Sequence, residues 1–413
     1  MASAQRSASI CRPTPRPAKG SSPKTLSVAL PAVAVLPLAV LLLAAVPLGA
    51  RQLPPDPPAE LPPPDRAVYA DMTGQELYEA SCITCHGADG TGSDPSFVAF
   101  SEPLPDFTDC QFARREPDAD WVGVAHRGGP SRGFSQMMPA FGEVLDADQL
   151  QRVMDYVRSL CSDDAWPRGE LNLPRALLTE KAFPEDEWVF ETNTPLEGGQ
   201  GAFMNTLVYE KRFGPRTMIE VLTPFGVQER TGADESGWVA GMGDLTLGVK
   251  HALYHSLDAG SILSLGAEVK LPTGKVEDGF GNGYTLWEGF LSWGQILPSS
   301  AFFQFQGIVE VPATSEANDE TVLRGALGRT WTRGRWGRAW SPMIEVQAKR
   351  ELVSGEAWSW DLVPQFQVTL NTRQHVMANV GILLPLTDAD LRNTALYFYV
   401  LWDWFDGGLF EGW

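Results

Sequence analysis

Residues 82–86 read Cys-Ile-Thr-Cys-His, so two thiols lie two residues apart and an imidazole directly follows the second. No other feature constrains the chain as narrowly, because few chemistries use this order. Cys82 and Cys85 can each add to a haem vinyl group, while His86 turns in to ligate the iron. The motif therefore predicts one covalently bound haem c.

Two other chemistries use paired cysteines. A zinc half-site needs further Cys or His residues at comparable spacing, and the chain has only five of each, none so placed. A thioredoxin-like dithiol needs surrounding βαβ periodicity, which the sequence around residues 82–86 lacks. Haem attachment is thus the favoured interpretation.

The first fifty residues carry basic side chains and no acid, and an apolar run at 26–50 ends in small residues. This layout predicts a secretory signal at residues 1–50. The run is long enough to be an uncleaved membrane anchor, but Pro31, Pro37 and Pro47 disfavour a stable spanning helix. A proline-rich stretch at 51–67 predicts an extended spacer.

The formal net charge is −19, which disfavours nucleic acid as a partner. Positively charged partners, such as basic redox proteins or metal cations, would be attracted. A net charge that serves only to keep the protein soluble is an equally good explanation.

Two capping boxes predict helix starts on either side of the motif. Thr73 precedes Glu76 by three residues, and Asp146 precedes Gln149 in the same way. The second helix has apolar residues at helical spacing, so one of its faces must pack against other structure. These residues are Leu150, Val153, Met154, Val157, Leu160 and Cys161.

A six-coordinate iron needs a second axial ligand, and "FSQMMPAFG" supplies Met137 and Met138 on a predicted loop. The region 68–162 resembles class I cytochromes c, in which the distal methionine usually precedes a proline. That resemblance implies Met138 as the distal ligand, with Met137 as its rival. His126 is a further candidate, but it would leave the Met-Pro loop without a purpose.

The same resemblance implies an all-α fold in which the helices at 73–83 and 147–160 cross, with Tyr78 and Tyr156 packed near the crossing. Cys110 and Cys161 then remain as an even pair in an oxidising compartment. We expect them to form a disulfide, and two buried free thiols are the alternative.

Beyond a predicted linker at 163–186, helical spacing gives way to alternation of apolar and polar residues through 187–413. The runs are about ten residues long, which suits tilted membrane strands better than the shorter strands of a β-sandwich. Counting them predicts an antiparallel transmembrane β-barrel of about twelve strands. The clearest runs are 261–274, 302–311, 342–351 and 360–371.

Residues 238–297, including "GDLTLGVKHAL" and "GNGYTLWEGFLSWGQIL", resemble the meta-pathway phenol-degradation transporter family of outer-membrane barrels. Tryptophans near strand ends are typical of the interfacial girdles of such barrels. Trp413 resembles the terminal aromatic of outer-membrane proteins, but Glu411 lies where an apolar residue is usual. We therefore expect the last strand to stop before the tail. The tryptophans are Trp287, Trp293, Trp331, Trp336, Trp360, Trp402 and Trp404.

A domain of this size measures about 30 Å across, whereas a twelve-strand barrel leaves roughly 12 to 15 Å of lumen. The predicted haem domain therefore lies outside the lumen, at the periplasmic mouth of a barrel in a Gram-negative outer membrane. The domain order resembles that of cytochrome-porin iron oxidases, which implies electron exchange with an extracellular donor such as ferrous iron, or an acceptor, and with a periplasmic redox protein.

Three functions follow from this architecture. The leading prediction is single-electron transfer at the outer membrane. A solute channel with the cytochrome as a redox-sensitive plug is the main rival, and a barrel that merely anchors a periplasmic electron carrier is the third. No Ser-His-Asp, Walker or zinc-hydrolase pattern occurs, which argues against a hydrolase. His251, His255 and His375 are scattered over the predicted strands and are not expected to be ligands.

Overall fold

The computed structural model describes residues 66–94, 96–98, 104–196, 201–231, 236–333 and 338–413. The predicted signal at 1–50 and most of the spacer at 51–67 lie outside these residues. Within the described part, no helix is both long and apolar enough to cross a membrane.

The first part of the chain is helical, as the resemblance implies. Its α-helices are α1 (Gly74–Ser81), α2 (Ile83–His86), α3 (Cys110–Ala113), α4 (Asp118–Arg127) and α5 (Ala147–Ser159). Short 3₁₀ helices span Arg66–Tyr69, Gly129–Arg132 and Gly169–Leu171, and two more occur later at Val276–Asp278 and Pro298–Ser300. Both predicted capping boxes are confirmed, since Thr73 and Asp146 each exchange hydrogen bonds with the residue three positions on.

Helices α1 and α5 cross over a common apolar core. Tyr78 and Tyr156 meet at the crossing with ring centroids 5.2 Å apart, which confirms their predicted packing role. Gly74 allows the close approach, because a Cβ at that position would lie 2.0 Å from the carbonyl oxygen of Arg152. The core combines α1, α4 and α5 and includes Leu77, Leu145, Leu150, Val153 and Val157.

A disulfide between Cys110 and Cys161 joins the start of α3 to the chain just after α5, with the two Cα atoms 5.3 Å apart. Because it closes a loop with a sequence separation of 51 residues, chain-entropy reasoning assigns it about 4 kcal/mol of stabilisation. The Arg114 guanidinium reinforces this corner by donating to the Cys161 carbonyl at 3.1 Å and to Asp164 at 2.9 Å.

The second part of the chain is a single antiparallel sheet. Its strands are β1 (Glu187–Pro195), β2 (Ala202–Phe213), β3 (Thr217–Thr231), β4 (Ser236–Met242), β5 (Leu245–Ser256), β6 (Ser261–Leu271), β7 (Leu286–Leu297), β8 (Ala301–Pro312), β9 (Glu320–Arg329), β10 (Trp331–Arg333), β11 (Arg338–Glu351), β12 (Ser359–Thr369), β13 (Val376–Pro385) and β14 (Ala395–Asp403).

The sheet closes on itself. Strand β1 pairs with both β2 and β14, and β11 pairs with both β9 and β12, so the order returns to its start. Strands β4 and β5 both pair with β3, and β9 and β10 both pair with β11, so each of these couples counts as one interrupted strand. The result is the predicted twelve-strand barrel.

Apolar residues on the barrel point outward and polar residues point inward, the reverse of a soluble β-sandwich. Exposed outward side chains include Phe190, Leu207, Ile219, Val249, Leu265, Trp287, Leu291, Val309, Leu327, Ile344, Trp360, Val380 and Phe398. Buried inward side chains include Glu210, Lys250, Ser264, Ser292, Gln304, Gln306, Glu345, Asp361, Gln365, Gln367 and Asn379. This distribution matches a membrane barrel with a polar interior.

The tryptophans near the strand ends have more than one role. Trp287, Trp331 and Trp360 are exposed on the outer surface, as a girdle requires, whereas Trp402 donates to the Gly407 carbonyl at 2.9 Å in the tail. Trp336 lies outside the described residues. The last strand ends at Asp403, before the tail, as expected.

Residues 171–186, within the predicted linker, lie inside the barrel, and we call this segment the plug. Side chains of the barrel wall bind its backbone from many directions. The Pro174 carbonyl accepts from Gln304 at 2.8 Å, and the Arg175 carbonyl accepts from the Tyr399 hydroxyl at 2.6 Å. The plug therefore fills space that the sequence predicts to be open lumen.

Glu345 on β11 is the main anchor of the plug. Its carboxylate is fully buried and accepts from the Leu178 amide at 3.1 Å and from the Thr179 amide at 2.5 Å. The Thr179 hydroxyl and the Gln365 side chain also donate to it. Hydrogen bonds to a buried charge are stronger than neutral ones, so this carboxylate fixes the middle of the plug.

We predict that Glu345→Ala loosens the plug, because three plug donors would lose a charged acceptor at a cost above about 3 kcal/mol. Single-channel recordings in planar bilayers should show a larger and noisier conductance than for the unmodified protein. Glu316→Ala, which alters an exposed loop residue, is the matched control. An unchanged conductance for a correctly folded Glu345→Ala barrel would contradict the prediction.

Candidate haem site at the barrel mouth

The Cys-X-X-Cys-His motif lies where α1 passes into α2. Cys82 is the residue between the two helices, and Cys85 and His86 belong to the single turn of α2. The His86 amide donates to the Cys82 carbonyl at 2.9 Å, so the turn presents both sulphurs and the imidazole together. Both cysteines are free thiols and half-buried.

The His86 ring is packed, and its Nδ1 atom is buried without a hydrogen-bond partner among the described residues. Its ring stacks on Phe107 with centroids 4.9 Å apart. Burial lowers the pKa of His86, which keeps the imidazole neutral and its lone pair available. A buried, unpartnered imidazole beside two free thiols fits the donor set of a c-type haem.

The thiol of Cys82 is itself buried. Burial, and secondarily the neighbouring Cys85, raise the pKa of Cys82 to about 11, so its sulphur is protonated at neutral pH.

The loop after the motif folds back over it through backbone hydrogen bonds. The Ser93 amide donates to the Cys85 carbonyl at 2.8 Å, and the Tyr78 hydroxyl donates to the Gly87 carbonyl at 2.8 Å. Gly90 has a φ of 81°, and a Cβ there would lie 2.4 Å from a Leu160 methyl group. A glycine is therefore required at this point of "HGADGTG".

The structure separates the three candidates for the distal ligand by burial. Met138 is half-buried, and its carbonyl accepts from the Gly129 amide at 3.0 Å, which ties the Met-Pro loop to the end of α4. Met137 is 56 % exposed. His126 is exposed, and its ring lies against Gly142. Met138 is thus the candidate held closest to the interior.

Arg115 joins the cytochrome domain to the barrel, a role that sequence reasoning missed. It is only 3 % exposed and forms an ion pair with the fully buried Asp186, at the last position of the plug. Its guanidinium also lies over the Phe405 ring at 3.8 Å. The adjacent arginines at 114 and 115 were the only sequence signal, and nothing in the sequence indicated their partners.

A second arginine network holds the segment that carries Arg115. Arg158 on α5 is buried and binds Asp118 at 2.8 Å together with the Glu116 carbonyl at 2.7 Å. Arg168 binds the same Asp118 at 2.7 Å. Gly169 must be a glycine here, because a Cβ would lie 2.0 Å from the Arg115 carbonyl oxygen.

The tail after β14 completes the contact. The Gly412 carbonyl accepts from the Thr372 amide at 2.7 Å, and Arg373 donates to the Gly133 carbonyl of the cytochrome domain at 2.8 Å. Arg373 also pairs with Glu411. Glu411, which lies where outer-membrane proteins usually have an apolar residue, is therefore paired with Arg373 at the barrel mouth.

Two cavities lie beside the plug. One, of about 450 Å³, lies at the mouth and is lined by Arg115, Glu116 and Lys181 among others. The other, of about 290 Å³, is lined by Glu180, Glu288 and Arg324 among others. Arg175 borders both and pairs with Glu187 at 3.0 Å and Glu210 at 2.9 Å.

The remaining histidines do not converge on the motif. His251 hydrogen-bonds Thr217 at 2.8 Å, and His255 contacts the Ala165 carbonyl at 3.2 Å. His375 is buried at the mouth against the Gly408 carbonyl at 3.0 Å.

Comparison with known proteins supports the assignment of the N-terminal cytochrome domain directly. Residues 70–157 match the family model described as cytochrome c oxidase, cbb3-type, subunit III. No curated protein matches the chain. The barrel is similar to the COG4313 outer membrane channel from Pseudomonas putida F1, at 13 % identity, 56 % of this chain, 99 % of that chain and a TM-score of 0.41. It is also similar to the NanC porin, at 9 % identity, 52 % of this chain, 98 % of that chain and a TM-score of 0.36.

The protein is therefore a c-type cytochrome domain fused to a membrane β-barrel of the outer-membrane type. Its cytochrome part carries the Cys82–His86 motif, and its barrel part is closed, apolar outside and polar inside.

The contact between the two parts should depend on pH through Glu116. This side chain faces Asp406 in the tail, and burial, followed by the charge of Asp120, raises its pKa to about 7. Because its pKa is higher in the folded state, stability at this contact is full below the ordinary pKa of 4.5 and declines as pH rises to about 7. We predict that Glu116→Gln weakens this decline, while the neighbouring Asp403 and Asp406, the latter with a pKa that burial also raises, account for the remainder.

The measurement is the thermal unfolding midpoint of the haem-loaded full chain, followed by the Soret band at about pH 5 and about pH 8. Glu79→Gln, at an exposed carboxylate of α1, is the control and should behave like the unmodified protein. A Glu116→Gln protein that keeps the full pH dependence would disprove the assignment.

Proposed function

We propose that the protein carries one covalently bound haem c and passes single electrons at the periplasmic mouth of an outer-membrane barrel. The observation that carries this proposal is the position of the Cys82–His86 motif in a domain tied to the mouth by the buried Arg115–Asp186 pair. Such a pair holds the domain against the barrel rather than on a free tether.

The proposed ligands follow from the motif and from burial. Cys82 and Cys85 would form the two thioethers, His86 the proximal bond to iron, and Met138 the distal bond. When bound, the haem supplies one-electron exchange between ferric and ferrous iron. A thioether ligand favours the ferrous form and raises the reduction potential.

The protein's own residues order this centre. Phe107 packs on the His86 ring, and Trp121 packs on Phe107 with centroids 5.4 Å apart, so aromatic surface excludes water from the proximal side. Arg158 in turn lies over the Trp121 ring at 4.0 Å. Packing thus runs from the proximal histidine to the arginine network beside Arg115.

Loop lengths support the proposed orientation. The turns at the cytochrome end are short, as at 214–216 and 298–300, whereas the opposite end carries longer loops, as at 272–285 and 386–394. Outer-membrane barrels have short periplasmic turns and longer extracellular loops. The cytochrome domain then faces the periplasm, where a periplasmic redox protein is the proposed partner, with an extracellular donor or acceptor on the other side.

The plug favours electron transfer over the rival function of a solute channel. Flux through the barrel would require residues 171–186 to leave their bonds to the wall, Glu345 included. The cytochrome domain itself is not the plug, so a change in haem oxidation state has no direct way to open the lumen. The third function, in which the barrel only anchors a periplasmic electron carrier, is tested by the same experiment as electron transfer.

The test uses haem-loaded full-length protein in sealed vesicles, with the loops outside and no oxygen present. Addition of external Fe(II), or of another candidate donor that cannot cross the bilayer, should reduce the haem in unmodified protein. If no external donor reduces the haem while a periplasmic-type redox protein inside does, the anchor function is correct and the transmembrane role is wrong. If ion flux follows haem oxidation state, the channel function is correct.

We predict that Met138→Leu lowers the haem midpoint potential by on the order of 0.1 V, since axial ligands set potentials over a range of about 0.8 V. The covalent haem should remain, because both thioethers are intact. Met137→Leu is the matched control and should leave the potential and the ferric spectrum unchanged. The assignment of Met138 fails if the two variants exchange these results.

A further inference from the structure

A row of glutamates crosses the inner wall of the barrel in exact strand register. On eight successive wall strands, each member lies directly opposite the next, with Gly248 on β5 as the one exception. The members of this acidic row are Glu210, Glu220, Glu268, Glu288, Glu310, Glu320 and Glu351.

The acidic row runs diagonally from one end of the barrel to the other. Glu210 and Glu220 lie beside the turn at 214–216, at the mouth that carries the cytochrome domain. Glu320 begins β9 and Glu351 ends β11, both at the opposite rim. The row thus links the far rim with the plug.

Such a row is unfavourable without cations, because like charges directly opposite each other in a sheet repel. Among the described residues, the row forms ion pairs only near its two ends. Arg175 pairs with Glu210 at 2.9 Å, and Lys349 pairs with Glu320 at 2.5 Å. In the described part of the chain, Glu268, Glu288 and Glu310 form no ion pair within 4.0 Å.

Beside the plug, three carboxylates converge. Glu180 of the plug, Glu220 and Glu268 each offer an oxygen, and these oxygens all lie within 4.8 Å of one another. Glu220 is only 4 % exposed, and its Oε1 atom is buried with no hydrogen-bond partner among the residues that the structure describes. A buried, unpartnered carboxylate oxygen facing two other carboxylates is a ligand atom in need of a cation.

Gly248 provides the room for this arrangement. A Cβ on Gly248 would lie 2.6 Å from Oε1 of Glu220. Any other residue at this position of the acidic row would displace the carboxylate. The one gap in the row therefore creates space for the buried carboxylate of Glu220.

The local charge specifies the cation. Lys250 donates to Glu180 at 2.6 Å and, in the part of the chain that the structure describes, is the only cation paired with the three carboxylates. Three negative charges against one positive charge leave two, and oxygen ligands suit hard divalent ions. We propose that Glu180, Glu220 and Glu268 bind one divalent cation, and that the acidic row conducts such cations to this site from the far rim.

The cavity beside the site supports access from that direction. It has a volume of about 290 Å³ and is lined by Glu268, Glu288 and Glu310, the next members of the acidic row towards the rim. The proposal does not depend on electron transfer, because cation binding is measured without any change in the haem.

The test measures Mn(II) binding to the haem-loaded full chain in detergent, from the loss of the free Mn(II) signal in electron paramagnetic resonance. Unmodified protein should show one saturable site per chain, competed by other divalent cations. Glu220→Gln and Glu268→Gln should each weaken Mn(II) binding at least tenfold. Glu316→Gln, with the same charge change on an exposed far loop, is the control and should bind like the unmodified protein.

Gly248→Ala separates geometry from charge. It removes no carboxylate but displaces that of Glu220, so it should also weaken Mn(II) binding, in a barrel whose folding is checked by heat-modifiable migration. The proposal is overturned if unmodified protein has no saturable site, or if Glu220→Gln and Gly248→Ala both bind Mn(II) as tightly as the control. Failure of haem reduction by external donors would leave this result unaffected and would count only against the electron-transfer proposal.

Discussion

Every strand of this barrel must satisfy its backbone hydrogen bonds within the sheet, because the bilayer offers none. The pairing of β1 with β14 closes the sheet and so meets that requirement. It also determines where the preceding domain and the C-terminal tail lie. With twelve wall strands, the start of β1 and the end of β14 come to the same mouth. The domain that precedes β1 and the tail that follows β14 therefore meet there, and Arg115 can reach both Asp186 and Phe405.

The polar interior has the same origin. Once the apolar faces are turned to lipid, the lumen is lined by carboxylates, amides and hydroxyls, which need partners of their own. The backbone of the plug supplies these partners. The Leu178 and Thr179 amides, for example, donate hydrogen bonds to the Glu345 carboxylate. What looks in sequence like a turn-rich, charged linker is an irregular segment whose backbone amides bind the polar side chains of the barrel wall.

The sequence predicted the features that depend on local pattern. The capping residues Thr73 and Asp146, the Tyr78–Tyr156 contact and the alternating faces of β6, β8, β11 and β12 all follow from spacing or resemblance, and the structure has them. The plug could not be predicted, because nothing local distinguishes a linker in solvent from one inside a polar barrel. The acidic row was equally hidden, since strand register is set by turns and bulges far from the glutamates themselves.

The plug also connects the proposed cation site with the cytochrome domain. Glu180 belongs to the three-carboxylate cluster, and six residues later Asp186 binds Arg115 of the cytochrome domain. Between them, Lys181 pairs with Glu185 and Glu187, so this part of the plug is held by buried charges rather than by flexible contacts. Coupling free energies are reciprocal, so if a cation at Glu180 shifts the haem potential, the haem oxidation state must shift the cation affinity by the equivalent factor. A charged segment that carries Glu180 and also binds Arg115 of the cytochrome domain is the physical element through which such a coupling can act.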